Sequence, residues 1–436
     1  MIRKVSRMEQ IVQSYVADKQ FMGSILVAQN GNVLLDKGYG YANLEWQIPN
    51  SPTTKFRLAS LTKQFTAASI LLLEEKGKLK LTDPVKKYIP DAPLAWENIT
   101  LFHLLTHTSG IPNYTSFPEF SLLTTSTKTP EQQVKLFRDR PLDFQPGIGY
   151  AYNNSGYVLL GHLIEIISDQ AYQDFVVDNL FKTLGMDDSG YDSFSTIIPH
   201  RASGYVMTAN GIQNADYLDM SIPYSAGSLY STTKDLLRWT GIFNGLFLSS
   251  ESLQKMITPF KNNYGLGVVI QSIDGHSAIH HTGGINGFAT MLIYCPKNKI
   301  MVAVLSNLNA IGYVAQDIAI KIIKLMHGKE VILPAERKEA VISPDILARY
   351  IGTYQVKSTN ESYAIHIKNL VIAIENGYLT AQVENNPKMR LFPESETQFF
   401  GKIPIAQIEF FNDRQGNISH LVWHQDEEDS VGVKSQ

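Results

Sequence analysis

Two apolar runs near the start of the chain, Ser24–Gln29 and Val33–Lys37, flank the dipeptide Asn30-Gly31. Asn-Gly is favoured in type I′ turns, so residues 24–41 are expected to form a β-hairpin. From about Ser60 the period lengthens. Phe65, Ala68, Leu72 and Glu75 fall roughly along one side of a helix expected to run to Lys76 and close at Gly77. Thr82-Asp83-Pro84 opens another short helical segment, and Leu159–Ile167 reads as a buried helix. Residues 288–307 form a second hairpin pattern with Lys297-Asn298-Lys299 as its turn. A helix over 313–327 follows, carrying Val314, Ile318, Ile322 and Leu325 on one face, with Gly328 after it. Strands at both ends with helices between predict a mixed α/β domain whose first and last strands share a sheet. The 329–345 stretch reads as a linker. Beyond it, short strand candidates recur at 354–356, 364–367, 370–374, 379–383, 408–411 and 418–423, punctuated by Asn376-Gly377 and Gly416-Asn417. That spacing predicts a small antiparallel barrel.

At 436 residues the chain exceeds what one hydrophobic core fills, consistent with two domains. With 44% hydrophobic and 18% charged residues and a net charge of -3, it offers no electrostatic case for nucleic acid or an anionic membrane. The acidic run Asp426-Glu427-Glu428-Asp429 reads as a solvated tail. No apolar run approaches the roughly 18–20 residues that span a bilayer. Arg3, Lys4 and Arg7 are not followed by an apolar stretch, so no signal peptide is visible, and the compartment stays open. The single cysteine, Cys295, lies in a β-rich run and reads as a buried thiol.

Three segments carry residues suited to chemistry. In Ser60-Leu61-Thr62-Lys63 the two polar side chains stand one helical turn apart, at a helix start whose dipole favours negative charge. A serine hydroxyl needs an adjacent base. Lysine serves only when neutral, which requires its pKa to fall by about 3 units, or about 4 kcal/mol. The same spacing recurs at Ser231–Lys234, which reads as a helix cap, and at Ser252–Lys255. The apolar helix behind Ser60 distinguishes the first. Tyr152-Asn153-Asn154 lies in a turn-rich loop entering the second buried helix, a place that displays side chains into a cleft. A tyrosine beside a lysine can shuttle protons, and Asn154 can hold the lysine or a substrate amide. His281-Thr282-Gly283-Gly284 precedes a strand, where glycines admit a close substrate backbone and an N–H can serve an oxyanion hole. His103 and His107 are spaced i, i+4, but no Glu or Cys accompanies them, so no metal is expected, and His280-His281 is not read as a metal pair. No Gly-x-Ser-x-Gly elbow, P-loop or dinucleotide fingerprint occurs, and no cofactor is expected.

In this order and at these separations, the three segments resemble the active-site set of the serine β-lactamase and penicillin-binding-protein superfamily. The pattern is most similar to its class C branch, which includes D-aminopeptidases, DD-carboxypeptidases and family VIII esterases. Leu104–Ile111, Gly156–Gly161 and Ala226–Thr232 add to the likeness, which covers about residues 10–327. It implies an α+β, transpeptidase-like domain over 1–335: an antiparallel sheet flanked by helices, plus an all-helical subdomain. It also implies Ser60 as acylated nucleophile, Lys63 and Tyr152 sharing the acid–base work, and Asn154 binding substrate and Lys63. The backbone N–H groups of Ser60 and Gly284 would form the oxyanion hole. His281 departs from the usual lysine and points toward the esterase and aminopeptidase side. Residues 345–436, opening with Leu347–Tyr354, resemble an appended lipocalin-like barrel that shapes the entrance or a homo-oligomer. The expected partner is a small ester, peptide or β-lactam. A non-catalytic penicillin-recognising protein is the alternative.

Overall fold

The computed structural model describes residues 2–435, apart from 209, 311–312, 334–335, 359–368, 384–387, 403–404 and 426–427. Helix α1 (Ile2–Ala17) leads into strands β1 (Gly23–Gln29) and β2 (Asn32–Tyr39), joined through Asn30 and Gly31, both at positive φ as the Asn-Gly turn requires. Much later come β3 (Val269–Ile273), β4 (His276–Ile285), β5 (Phe288–Cys295) and β6 (Ile300–Ser306). These six form one antiparallel sheet in the order β3-β4-β5-β6-β1-β2, so the first strand of the chain lies beside the last strand of this sheet.

The central strands of this sheet are buried on both faces, which explains why β1, β5 and β6 read as continuous apolar runs rather than alternating ones. Ile25, Val27, Met291, Ile293, Val302 and Val304 pack toward one cluster with Met8 and Val12 of α1. Ile318 and Ile322 of the last helix, Val314–Met326, belong to the same cluster. Leu26, Ala28, Leu292, Ala303 and Leu305 face the opposite, larger core.

At the centre of that larger core is α2 (Thr62–Glu75), entered through a 3-10 turn, Ala59–Leu61. The expected one-sided helix is corrected here. Every residue of α2 from Thr62 to Leu71 is buried, whereas Glu75, placed on the apolar side by its spacing, is exposed. Its buried polar residues are matched instead: Thr66 donates to the Ser225 carbonyl at 2.7 Å, and Gln64 accepts from the Trp239 indole at 2.8 Å. Two further helices matter for the site, α3 (Leu101–Leu105) and α4 (Asn154–Ser168). Between them and the sheet the chain is mostly helical, with short strands Phe56–Arg57, Gly190–Tyr191 and Leu229–Ser231 forming a small sheet under residue 60.

The 329–345 stretch is less open than a linker. Val331 and Leu333 are buried in the α1-side core. Arg7 pairs with Glu336, while the neighbouring Arg337 pairs with Glu394 of the C-terminal part at 2.7 Å. The last eight strands close a barrel, from Gly352–Ser358 round to Glu428–Lys434, with the first pairing the last. Alternate residues such as Tyr354, Leu370, Ile372, Leu391, Phe399, Ile408, Phe410 and Leu421 fill its interior. Tyr350, ahead of the first strand, stacks on Phe410 at 4.2 Å and donates to the Glu396 carbonyl. Strands Met389–Pro393, Gln398–Lys402 and Glu428–Lys434 were not expected, and Glu428 and Asp429 begin the closing strand rather than a solvated tail. The strand expected at 364–367, and Asp426-Glu427, lie outside the described residues.

Candidate active site

Ser60 sits on the turn that feeds α2. The residue before it, Ala59, adopts φ +50°, a left-handed conformation that costs an alanine energy and is imposed by its surroundings. Leu58 is pinned by its N–H to the Leu229 carbonyl at 2.8 Å, and its own carbonyl accepts from Thr290 at 2.9 Å. The turn is thus fixed between the small sheet and β5.

One helical turn on, Lys63 is wholly buried. Its Nζ lies 3.1 Å from Ser60 Oγ, 2.8 Å from Asn154 Oδ1 and 3.0 Å from the Ala226 carbonyl. Burial brings its pKa down from 10.5 to about 7. A neutral amine has two N–H donors and a lone pair. Asn154 Oδ1 and the Ala226 carbonyl can only accept, so they take the two donors and leave the lone pair facing the serine hydroxyl. Asn154 is oriented for this because its Nδ2 donates to Thr115 Oγ1 at 3.1 Å.

Tyr152 and Asn154 arrive on the loop that enters α4, where Asn153 caps the helix by accepting from the Gly156 N–H at 2.7 Å. The Tyr152 ring centroid is 4.9 Å from Lys63 Nζ, and the residue is partly exposed.

On β4, strand β3 pairs only as far as Val269 opposite His280, while β5 continues along the other side to Ile285. Residues 281–285 therefore form a strand edge with no β3 partner. Gly283 is there for packing. A Cβ at this position would stand 2.2 Å from Thr290 Oγ1 and 2.3 Å from the Leu58 carbonyl, beneath the Ser60 turn. Gly284 is the reverse case, exposed, with nothing within 4 Å of a Cβ. His281 is buried, with its ring centroid 6.1 Å from that of Tyr152. Its Nε2 meets the Tyr264 hydroxyl at 3.1 Å, and burial together with Lys63 brings its pKa down to about 3, so it is neutral.

A cleft of about 240 Å³ opens over this arrangement. Ser60, Asn154 and Gly284 line it, with an apolar wall of Phe120, Leu218, Ile222 and Ile285; Tyr152, His281, Thr282 and Gly283 do not.

One further residue belongs to the site: His107, in the Leu104–Ile111 stretch, for which no metal is expected. His107 is buried at φ +58°, in ring contact with Tyr152 (4.4 Å) and Tyr264 (4.5 Å). Its carbonyl accepts from the Ala151 N–H at 3.0 Å, and its Nδ1 accepts from the Asn153 N–H at 3.1 Å. It thereby grips the loop on both sides of Tyr152. Burial, Lys63 and His281 hold its pKa well below 6.5, which keeps Nδ1 an acceptor. The signal in the sequence was its place in Leu104–Ile111, not its spacing from His103, whose ring instead caps α3 by accepting from the Thr100 N–H at 3.2 Å.

Comparison with known proteins agrees with this geometry. The family model described as Beta-lactamase matches residues 8–322. The chain belongs to the beta-lactamase family. It is 29% identical to penicillin-binding protein 4* of Bacillus subtilis over 95% of this chain and 96% of that one. Its fold is similar to that of the octameric penicillin-binding protein homologue from Pyrococcus abyssi, at TM-score 0.68 and 26% identity, covering 98% of this chain and 99% of the other. A D-stereospecific amidohydrolase from Streptomyces sp. is similar at TM-score 0.62 and 25% identity, over 73% and 97% of the two chains. With this fold and these relatives, the chain is a serine hydrolase. None of the described helices is long and apolar enough to cross a membrane.

Proposed function

We propose that the enzyme cleaves amides or esters of small acyl compounds through an acyl-enzyme on Ser60. The observation that carries this is the buried Lys63 amine, 3.1 Å from Ser60 Oγ with its pKa brought to about 7. Lys63 takes the hydroxyl proton as Ser60 Oγ attacks the substrate carbonyl carbon. The oxyanion that forms is held by the backbone N–H groups of Ser60 and Gly284, where one donor is worth roughly 10²–10³ in rate. As the tetrahedral intermediate collapses, the leaving nitrogen or oxygen receives that proton from Lys63 or through Tyr152. A water molecule then attacks the acyl-enzyme by the same path, giving up a proton to the base and releasing the acid. Asn154 orients Lys63 and offers its amide to the substrate.

Amide cleavage is the favoured reading because the D-stereospecific amidohydrolase shares the fold across nearly its whole length. β-Lactamase or DD-carboxypeptidase action, or penicillin recognition without turnover, is the second reading, suggested by the penicillin-binding relatives. Neutral, buried His281 counts against it by supplying no cation there. Residues 1–335 would form the hydrolase domain and 345–436 the barrel domain. Because the octameric homologue matches over almost the full chain, we also propose a homo-oligomer, which light scattering on the eluting protein checks. The hydrolytic reading is tested with D-amino-acid amides and short-chain p-nitrophenyl esters: wild type turns over one class or both, and Ser60→Ala turns over neither. Full activity in that variant overturns the assignment.

A further inference from the structure

Beside the Ser60 cleft lies a second cavity of about 300 Å³, more polar than the first and sharing Leu218 and Asn286 with it. Its floor holds two arginines on one carboxylate. Arg57 Nε donates to Asp192 Oδ2 at 2.6 Å, and Arg201 Nη1 donates to Asp192 Oδ1 at 2.7 Å. The Asp192 side chain is fully buried, while the two guanidinium-bearing chains keep 18% and 29% exposure. Each guanidinium has five N–H donors in a fixed fork. One from each is directed to Asp192, and among the described residues neither guanidinium has another hydrogen-bond partner. Of the residues lining the cavity, Arg57 and Arg201 are cationic and only Asp216, exposed on the rim, is acidic, while the second anion, Asp192, is buried beneath the arginines. The rim carries the exposed Asp216, whose carbonyl accepts from Asn286 at 3.1 Å, and Tyr217.

We propose that this cavity is an anion subsite that receives a carboxylate of the substrate, so that the enzyme prefers acyl compounds bearing one. The proposal rests on the Ser60 reading and supplies the cation that position 281 lacks. Arg57 precedes Ser60 by three residues, so their Cα atoms are at most about 11 Å apart, a span that an acylated amino acid or dipeptide bridges. Planar guanidinium forks suit a carboxylate, and a charge-assisted pair there is worth about tenfold or more in affinity.

Two matched substrate pairs test it in wild type: mono-p-nitrophenyl glutarate against p-nitrophenyl valerate, and 3-carboxy-4-nitrophenyl acetate against 4-nitrophenyl acetate. In at least one pair kcat/KM favours the carboxylate by about tenfold, and 0.5 M salt shrinks the ratio. Arg201→Gln, which leaves Asp192 paired with Arg57, brings the ratio near one. Should that variant fail to fold, Asn286→Asp, which places a negative charge at the shared border, does the same. Titration of glutarate into Ser60→Ala reads the subsite without turnover, and adding Arg201→Gln weakens that binding about tenfold. Equal kcat/KM within both wild-type pairs, a ratio that survives the substitutions, or no glutarate binding to Ser60→Ala overturns the subsite. Failure of wild type to turn over any ester or amide while glutarate still binds counts against the Ser60 reading instead.

Discussion

The state of Lys63 sets the rate in this account, and its pH dependence follows with a definite sign. An ordinary lysine at pH 7 is neutral in roughly three molecules of ten thousand; with a pKa of about 7 the neutral fraction is near one half. The displacement corresponds to about 5 kcal/mol, all of it from burial; among the described residues no carboxylate pairs with Nζ. Because the neutral form is the base, kcat/KM for a p-nitrophenyl ester rises with pH and levels off above about 7. Asn154→Asp places an anion where Oδ1 now stands, 2.8 Å from Nζ. An opposite charge at that range favours the ammonium and moves the limb to higher pH by about 1–3 units. Lys63→Arg, which stays charged, loses at least about 10³ in kcat/KM. The assay is kcat/KM from pH 5 to 10 for the three proteins, with folding checked by circular dichroism. A flat wild-type profile, or a limb that Asn154→Asp leaves in place, refutes the reasoning.

His107→Ala lowers kcat by about tenfold or more, because the loop bearing Tyr152 and Asn154 loses its Nδ1 anchor. His107→Asn, which tolerates positive φ and can present an acceptor, recovers most of it, whereas equal losses in both point to a packing role only. Gly283→Ala destabilises the fold by about 1–3 kcal/mol through contacts near 2.2 Å, while Gly284→Ala changes stability little; thermal denaturation of the two compares them directly. His281→Lys destabilises by more than about 2 kcal/mol instead of redirecting specificity, since it buries a second cation near Lys63. A variant as stable as wild type in urea contradicts that.

The elements that were legible in the sequence are those whose pattern had one cause. Asn30-Gly31 and Asn376-Gly377 announced their turns because both residues sit at positive φ. The Leu159–Ile167 run announced a helix that is buried as far as Ile164, apart from the half-buried His162, and opens to solvent at Ile166. Helix α2 misled because period analysis assumes a solvent face, and here Gln64, Thr66 and Ser69 are inside, the first two satisfied by Trp239 and Ser225 from distant segments and the third by the Phe65 carbonyl one turn back. Three barrel strands were missed for a related reason. Strands such as Gln398–Lys402 are five residues long, and Glu428–Lys434 begins with two acids, so neither offers a clean alternation. At the site, Ser60, Lys63 and Asn154 were legible from motif and spacing, and the coordinates bring them within hydrogen-bond reach. The orientation of His281 and the grip of His107 on the Tyr152 loop depend on which way β4 faces and on a left-handed residue, neither of which spacing encodes.

Whether the residue-60 hydroxyl is the atom that becomes acylated is read most directly by intact-protein and peptide mass spectrometry after exposure to a fluorophosphonate. One stoichiometric adduct is expected on the peptide containing Ser60, formed faster as pH rises through about 7 and absent from Ser60→Ala. An adduct on another residue, or equal labelling of Ser60→Ala, would contradict it.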